Sequence, residues 1–257
     1  MKRQIALLPA IVALSCLSTP AARAENWPCF RGPTGQGISH EQQVPTSWTA
    51  TSGIAWKTEL PGEGVSSPIV FGDRVYVTVA QDDGASLRLI CFDAETGALL
   101  WNKELLEQKA GHKSRQNSFA TSTPATDGRR IYVAACDGRV VAVTMDGEPV
   151  WTNADFDYYS EHGLAVSPVL YGDMVIMAYD WSSPGPNKKL GWQVPWDKSL
   201  ILALDTSTGQ ARWQGRRGSS RIAHVTPLIV RVDDADQLVS GAGDVVQGFD
   251  LRNGQRL

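Results

Sequence analysis

The stretch FDAETGALLW, residues 92–101, decides the fold, because it returns as LDTSTGQARW at 204–213 and again as FDLRNGQRL at 249–257. Each copy sets a Gly four residues after an Asp, and the first two set a Trp four residues after that Gly. Outward from this motif the chain divides into units. The first runs from VSSPIVFGDRVYVTVAQ (65–81) through SLRLICFDAETGALLW (86–101), and the second from ATSTPATDGRRIYVAAC (120–136) through GRVVAVTMDGEPVW (138–151). The third runs from AVSPVLYGDMVIMAYD (165–180) through SLILALDTSTGQARW (199–213), and a fourth from HVTPLIV (224–230) to residue 257, where its Trp would come next. Such long-period self-similarity marks an array in which one unit cannot bury its own faces.

Each unit reads as four short strands. The turns FGDR, TDGR and YGDM, and then AETG, MDG, TSTG and LRNG, supply the Gly, Asn and Asp that reverse a twisted hairpin. Pro68, Pro124, Pro168 and Pro227 recur at one place in the first strand, which fits an edge strand, here the innermost. A four-stranded antiparallel blade with two apolar faces buries both by radial stacking, so the fold class is all-β, a β-propeller. Gly97, Gly147 and Gly209 then make the turn into the fourth strand, while Trp101, Trp151 and Trp213 pack between blades as fasteners. In the second unit Val143 stands where Asp is expected, so that fastener should lack the hydrogen bonds accepted at Asp93, Asp205 and Asp250.

The formal net charge of −3 gives no electrostatic footprint for nucleic acid, and GRRGSSR (215–221) reads as a solvated loop. Residues 1–24 read as an export signal: Lys2 and Arg3 begin it, IALLPAIVALSCL forms its apolar core, and Ala22-Arg23-Ala24 its cleavage site. The alternative, acylation at Cys16, is disfavoured because Ala13 stands where a lipobox carries a larger aliphatic residue. The mature chain is thus expected in the periplasm or secreted, with no transmembrane helix. It keeps Cys29, Cys91 and Cys136, an odd count with no CxxC pair, which leaves the pairing of Cys29 open. Cys91 and Cys136 read as small buried hydrophobes. The organisation expected is a signal at 1–24, an N-terminal extension at 25–53 and the propeller at 54–257.

The pattern A-x-D-x-x-x-G-x-x-x-W, clearest at 203–213, resembles the tryptophan-docking motif of quinoprotein-type propellers built from PQQ-like repeats. The segments NWPCFRGPTGQGIS (26–39) and EHGLAVSPVLYGD (161–173) resemble exported PQQ-binding-like propeller proteins of bacteria. The resemblance implies seven or eight blades, against three full units and most of a fourth here. SGIAWKTEL (52–60) resembles the isolated fourth strand that completes a closing blade. The expectation is an N-terminal portion of a longer propeller, marginal and prone to associate by itself.

Turns between first and second strands, and between third and fourth, are short, so one face is tight. The other face carries every elaboration, at 102–118, 152–163, 181–199 and 214–224. Long loops on a rigid scaffold are where binding resides. Asn117, His162 and His224 precede successive inner strands at the mouth of the axis, where they could converge on a ligand or hydrogen-bond their own loops. Trp181, Trp192 and Trp196 share a proline-rich insertion that reads equally as a partner platform or as a loop folded on itself. Two function classes follow. The first is a non-catalytic exported scaffold binding an unknown protein or small molecule on the long-loop face, with no cofactor, like the quinoprotein-like lipoprotein that helps insert outer-membrane barrels. The second is a dehydrogenase of alcohols or sugars with PQQ and Ca²⁺ on the axis. The absence of vicinal cysteines, and of a carboxylate cluster matching the calcium ligands, favours the scaffold.

Overall fold

The computed structural model describes residues 24–42 and 44–257. The leader expected at 1–24, except Ala24, and Cys16 with it, lie outside the described residues. Four antiparallel sheets follow one another along the chain. The first holds β1 (Ile69–Phe71), β2 (Arg74–Gln81), β3 (Ser86–Asp93) and β4 (Leu99–Glu107) in that order. The second holds β5 (Ala125–Thr126), β6 (Arg130–Ala134), β7 (Val140–Thr144) and β8 (Pro149–Asn153). The third holds β9 (Val169–Tyr171), β10 (Met174–Tyr179), β11 (Leu200–Asp205) and β12 (Ala211–Arg216), and the last β13 (Leu228–Val232), β14 (Ala235–Gly241) and β15 (Val246–Asp250). These are the blades of a partial propeller.

Middle strands are buried on both faces, as radial stacking requires. Tyr132, Val140 and Ala142 of the second blade share one core with Ile176, Tyr179 and Leu204 of the third and Leu238 and Phe249 of the fourth. A second core joins Tyr76, Leu89 and Cys91 to Ile131, Val133 and Val141.

The tryptophans lie across these seams. Trp151 covers Gly209 of the following blade and donates from Nε1 to Thr206 O at 2.9 Å. Trp213 does the same to Gly254 and to Leu251 O, again at 2.9 Å. Trp56 supplies an equivalent contact ahead of the first blade, lying on Gly97 and donating to Ala94 O at 3.0 Å. Residues 52–60, expected as a strand, form no ladder, because no strand lies beside them among the described residues; the Trp docks without one.

The second turn differs from expectation. Thr144, not Val143, holds the place of the Asp: its N–H is bonded to Glu148 O, as Asp93 N is to Ala98 O and Asp205 N to Gln210 O. The turn is one residue shorter there. Thr144 Oγ1 accepts from Asp146 N and Glu148 N at 3.3 and 3.1 Å, replacing part of what Asp93, Asp205 and Asp250 accept elsewhere. Met145 O, the acceptor position for the docked Trp, instead receives Arg74 Nη1 and Tyr76 Oη, and Trp101 Nε1 is buried without a partner among the described residues.

The recurrent prolines stand one residue before β1, β5, β9 and β13, outside the strands rather than within them. The hydroxyl residue ahead of each has its own task. Ser67 N donates to Thr123 Oγ1, Thr123 N to Ser167 Oγ, and Ser167 N to Thr226 Oγ1, at 3.0, 3.0 and 3.1 Å. Each blade thus passes a hydrogen bond to the next along the inner rim.

Candidate functional site

Geometry follows from where the short and long connections fall. Two-residue hairpins close β1–β2 and β9–β10, whereas the links 108–124, 154–168, 180–199 and 217–227 gather on the opposite face. Asn117, His162 and His224 meet there. Asn117 Nδ2 donates to His162 O at 2.6 Å, and the His162 ring stands edge-on to Trp192 at 5.3 Å and to His224 at 5.9 Å. His224 Nε2 lies 3.2 Å from Ser160 Oγ, while its buried Nδ1 has no partner among the described residues.

Beneath this cluster is a polar anchor. Asp180, the first residue after β10, accepts the consecutive N–H groups of Ala223 and His224 on Oδ2 at 2.9 and 2.7 Å. Those two bonds hold His224 at φ +54, a left-handed backbone that histidine adopts at a cost. Asp180 Oδ1 lies 3.3 Å from Arg217 Nη1, and both side chains are fully buried. Arg217 also donates to Gly241 O at 2.7 Å and to Ser240 Oγ at 2.6 Å, so the pair ties the third blade and its outgoing link to the fourth. A buried ion pair persists where further hydrogen bonds offset its desolvation. Here they serve Asp180 Oδ2 and the Arg217 Nη atoms, while Asp180 Oδ1 and Arg217 Nε are buried without a hydrogen-bond partner among the described residues. Burial pushes the His224 imidazole below its ordinary value, with His162 and Arg217 acting in the same direction and Asp180 opposing.

The insertion at 181–199 divides its tryptophans. Trp181 is folded in: its Nε1 donates to Asp157 O at 3.1 Å, and its ring lies 5.5 Å from Tyr158 and 5.6 Å from Tyr179. Trp196 exchanges main-chain bonds with Ser220. Together with Phe156, Tyr158, Tyr159 and Pro184 these two line a cleft of about 560 Å³. Trp192 instead presents 40% of its surface to solvent.

Sequence reasoning placed GRRGSSR among solvated loops; Arg217 and Ser220 within it are buried, because the link turns under the third blade toward Asp180. It also missed Asp180, whose signal was a carboxylate directly after an apolar strand. Cys136, expected to be buried, is half-buried just beyond β6, and burial pushes its thiol up to about 12. Among the described residues Cys29, Cys91 and Cys136 are free thiols.

A calcium-held quinone requires oxygens free to face the axis. Asp180 Oδ2 accepts two N–H groups and Oδ1 faces the buried Arg217 guanidinium as an ion pair, and Glu161 accepts from Tyr159 Oη on Oε2 with Oε1 3.5 Å from His112 Nε2. No three His, Cys, Asp or Glu side chains stand together as a metal site among the described residues. The donor set of this mouth does not fit that group.

Comparison with known proteins agrees with the architecture. Outer membrane protein assembly factor BamB of Salmonella typhimurium is 32% identical over 113 residues, 43% of this chain and 23% of that protein. The Escherichia coli protein of the same name is 34% identical over 90 residues, 34% of this chain and 19% of its own length. The chain thus spans less than a quarter of these relatives. Among solved structures, BamB from Moraxella catarrhalis superposes with a TM-score of 0.55 at 18% identity, over 81% of this chain and 55% of that one. Quinohemoprotein alcohol dehydrogenase from Comamonas testosteroni gives 0.61 at 15%, over 92% and 41%. At these identities the two structures share the fold alone. Residues 50–257 match the family described as outer membrane protein assembly factor BamB, and the chain belongs to that family.

Proposed function

We propose that this chain is a non-catalytic, exported propeller that binds a protein partner on its long-loop face and serves the assembly of outer membrane proteins. The observation that carries this reading is Trp192, a large exposed aromatic standing on His162, which packs on the half-buried His224 above the buried Asp180–Arg217 pair. A rigidly supported aromatic is the usual anchor of a protein interface, since it covers large area with few rotatable bonds to order. The aromatic cleft beside Trp181 and Trp196 extends the same surface. Family membership supports the assembly role, and residues 1–24 support a periplasmic location. Intact mass separates cleavage after Ala24 from lipid attachment at Cys16.

The test is genetic. A strain lacking the gene should lose outer membrane barrel proteins and become permeable to large antibiotics. Wild-type chain should restore both, and Trp192→Arg should not, at equal abundance. Unaltered barrel content in the deletion strain would refute the assembly role. Calcium- and PQQ-dependent alcohol oxidation by the purified chain would return the dehydrogenase reading.

A further inference from the structure

Four residues stand two positions beyond the inner-rim prolines: Val70, Thr126, Leu170 and Ile229. In the first two blades inward main-chain groups at this position are already paired, both at Val70 and the N–H at Thr126. Trp27 N donates to Val70 O at 2.8 Å and Val70 N returns to Trp27 O at 2.9 Å, while Thr126 N donates to Pro28 O at 2.9 Å. Asn26 adds its side chain, accepting from Gly72 N on Oδ1 at 2.7 Å. Asn26, Trp27 and Pro28 therefore lie along the inner edges of β1 and β5 as an added strand. Beyond Pro28 the segment leaves that edge through turns at Cys29–Gly32 and Arg31–Gly37.

The third blade repeats the geometry of the first. Its hairpin has Gly172 and Asp173 where the first has Gly72 and Asp73, and Leu170 faces Val175 as Val70 faces Val75. Bonding and non-bonding pairs alternate along an antiparallel ladder, so this register turns Leu170 N–H and C=O toward the axis. Ile229, three residues before the hairpin closed by Val232 and Ala235, has the same parity. Among the described residues no main-chain group from outside their own sheets bonds to Leu170 or Ile229. A cleft of about 480 Å³ lies in front of them, walled by Pro28 to Gly35 on one side and by Pro168–Leu170 and Pro227–Ile229 on the other. Its size lies within the roughly 300–1,000 Å³ of small-ligand sites, and its lining is largely apolar.

We propose that this cleft receives an extended segment of a partner polypeptide, of the chemistry Asn or Asp, aromatic, Pro. The segment adds to the inner edges of β9 and β13 in the mode that Asn26 to Pro28 shows on β1 and β5. Main-chain pairing with Leu170 and Ile229 supplies the attachment common to edge addition, and side chains supply selectivity. A carboxamide or carboxylate accepts from Gly172 N–H, the aromatic ring enters the apolar cleft, and proline follows without loss because only its carbonyl is used. This site is on the inner rim, touches the loop-face cluster only at His224 and does not rest on the loop-face reading.

The experiment uses the whole chain and a synthetic hexapeptide of residues 25–30 carrying Cys29→Ser. Titration should be saturable, and amide exchange at Leu170, Gly172 and Ile229 should slow about 10-fold or more. Leu170→Pro removes an axis-facing donor at an edge where proline is tolerated, and should weaken binding by about 10-fold or more. A hexapeptide N-methylated at its Trp, which needs no altered protein, should lose binding likewise. Lack of saturable binding, protection confined to Val70 and Thr126, or equal binding of the N-methylated peptide overturns the proposal. Self-association of the chain that the hexapeptide competes away would make a second copy the occupant and overturn the assignment to a partner.

Discussion

Replacing Gly209 by Ala tests the docking of tryptophan on a turn glycine. A methyl group at Gly209 would lie 2.5 Å from ring carbons of Trp151, and the residue sits at φ +72. Retreat of the ring is opposed by its 2.9 Å bond to Thr206 O and by the Tyr132 ring 5.9 Å away. Two costs therefore add. Left-handed backbone costs a residue with a Cβ about 1–2 kcal/mol, and overpacking a fixed neighbour costs about 1–3 kcal/mol. Gly172→Ala is the control: its φ is +56, and nothing lies within 4 Å of the added methyl, so the backbone cost stands alone. Urea unfolding followed by tryptophan fluorescence should show Gly172→Ala less stable by about 1–2 kcal/mol and Gly209→Ala by about 2–5 kcal/mol, at least about 1 kcal/mol more than the control, with equal m-values. Equal losses in the two variants would show that the ring does not press on the turn and would refute the reasoning.

Other outcomes follow from the same geometry. Trp151→Phe should destabilise about 1 kcal/mol more than Trp101→Phe in the same assay, because Trp151 loses a hydrogen bond while Trp101 Nε1 makes none. Ser167→Ala leaves the buried Thr123 N–H without its acceptor and should cost about 1–3 kcal/mol, with Ser167→Thr recovering most of it. His224 sits below its ordinary value in the folded chain, so on acidification the unfolded chain takes up a proton first. Stability should be full above the ordinary histidine range and fall as pH drops from there toward the lowered value. His224→Gln should flatten that limb of a stability profile, and an unchanged limb would assign the acid sensitivity elsewhere.

The blades were legible because their signals are local. Alternating apolar runs, Gly turns and the Asp-to-Trp spacing each lie within a few residues, and the tight face could be told from the elaborated one by loop length alone. What escaped depends on partners far apart in the chain. Arg217 reads as one of several basic residues in a polar link; its burial follows from Asp180, 37 positions earlier, which directly follows a strand of the same blade. Trp56 reads as part of a strand, yet its docking needs only the turn at Gly97 and no ladder. The displaced Thr144 turn escaped because a deletion of one residue shifts the motif without removing its Gly. Of the Trp-rich insertion, sequence left two readings open, and the structure divides them: Trp181 and Trp196 fold inward while Trp192 stays out.

That shortened turn also explains why elaboration falls on one face. Each turn between third and fourth strands is covered by a tryptophan from earlier in the chain, Trp56 for the first blade and the preceding blade's tryptophan for the others, whose Nε1 needs one particular carbonyl at hydrogen-bond distance. Removing a single residue from the turn at Thr144 leaves the ring docked on Gly147 but redirects Met145 O to Arg74 and Tyr76, and Trp101 loses its acceptor. An insertion there would lift the ring and expose the core it covers, whereas the links between blades and those from second to third strand, such as 180–199, carry no such ring and lengthen with little effect on the seams. Loop length adds closure entropy only slowly, about 0.6 kcal/mol per doubling. The face opposite the tryptophan-docked turns is therefore where this fold can accumulate aromatic and polar groups without unsealing itself, and Trp192, His162 and His224 stand on it.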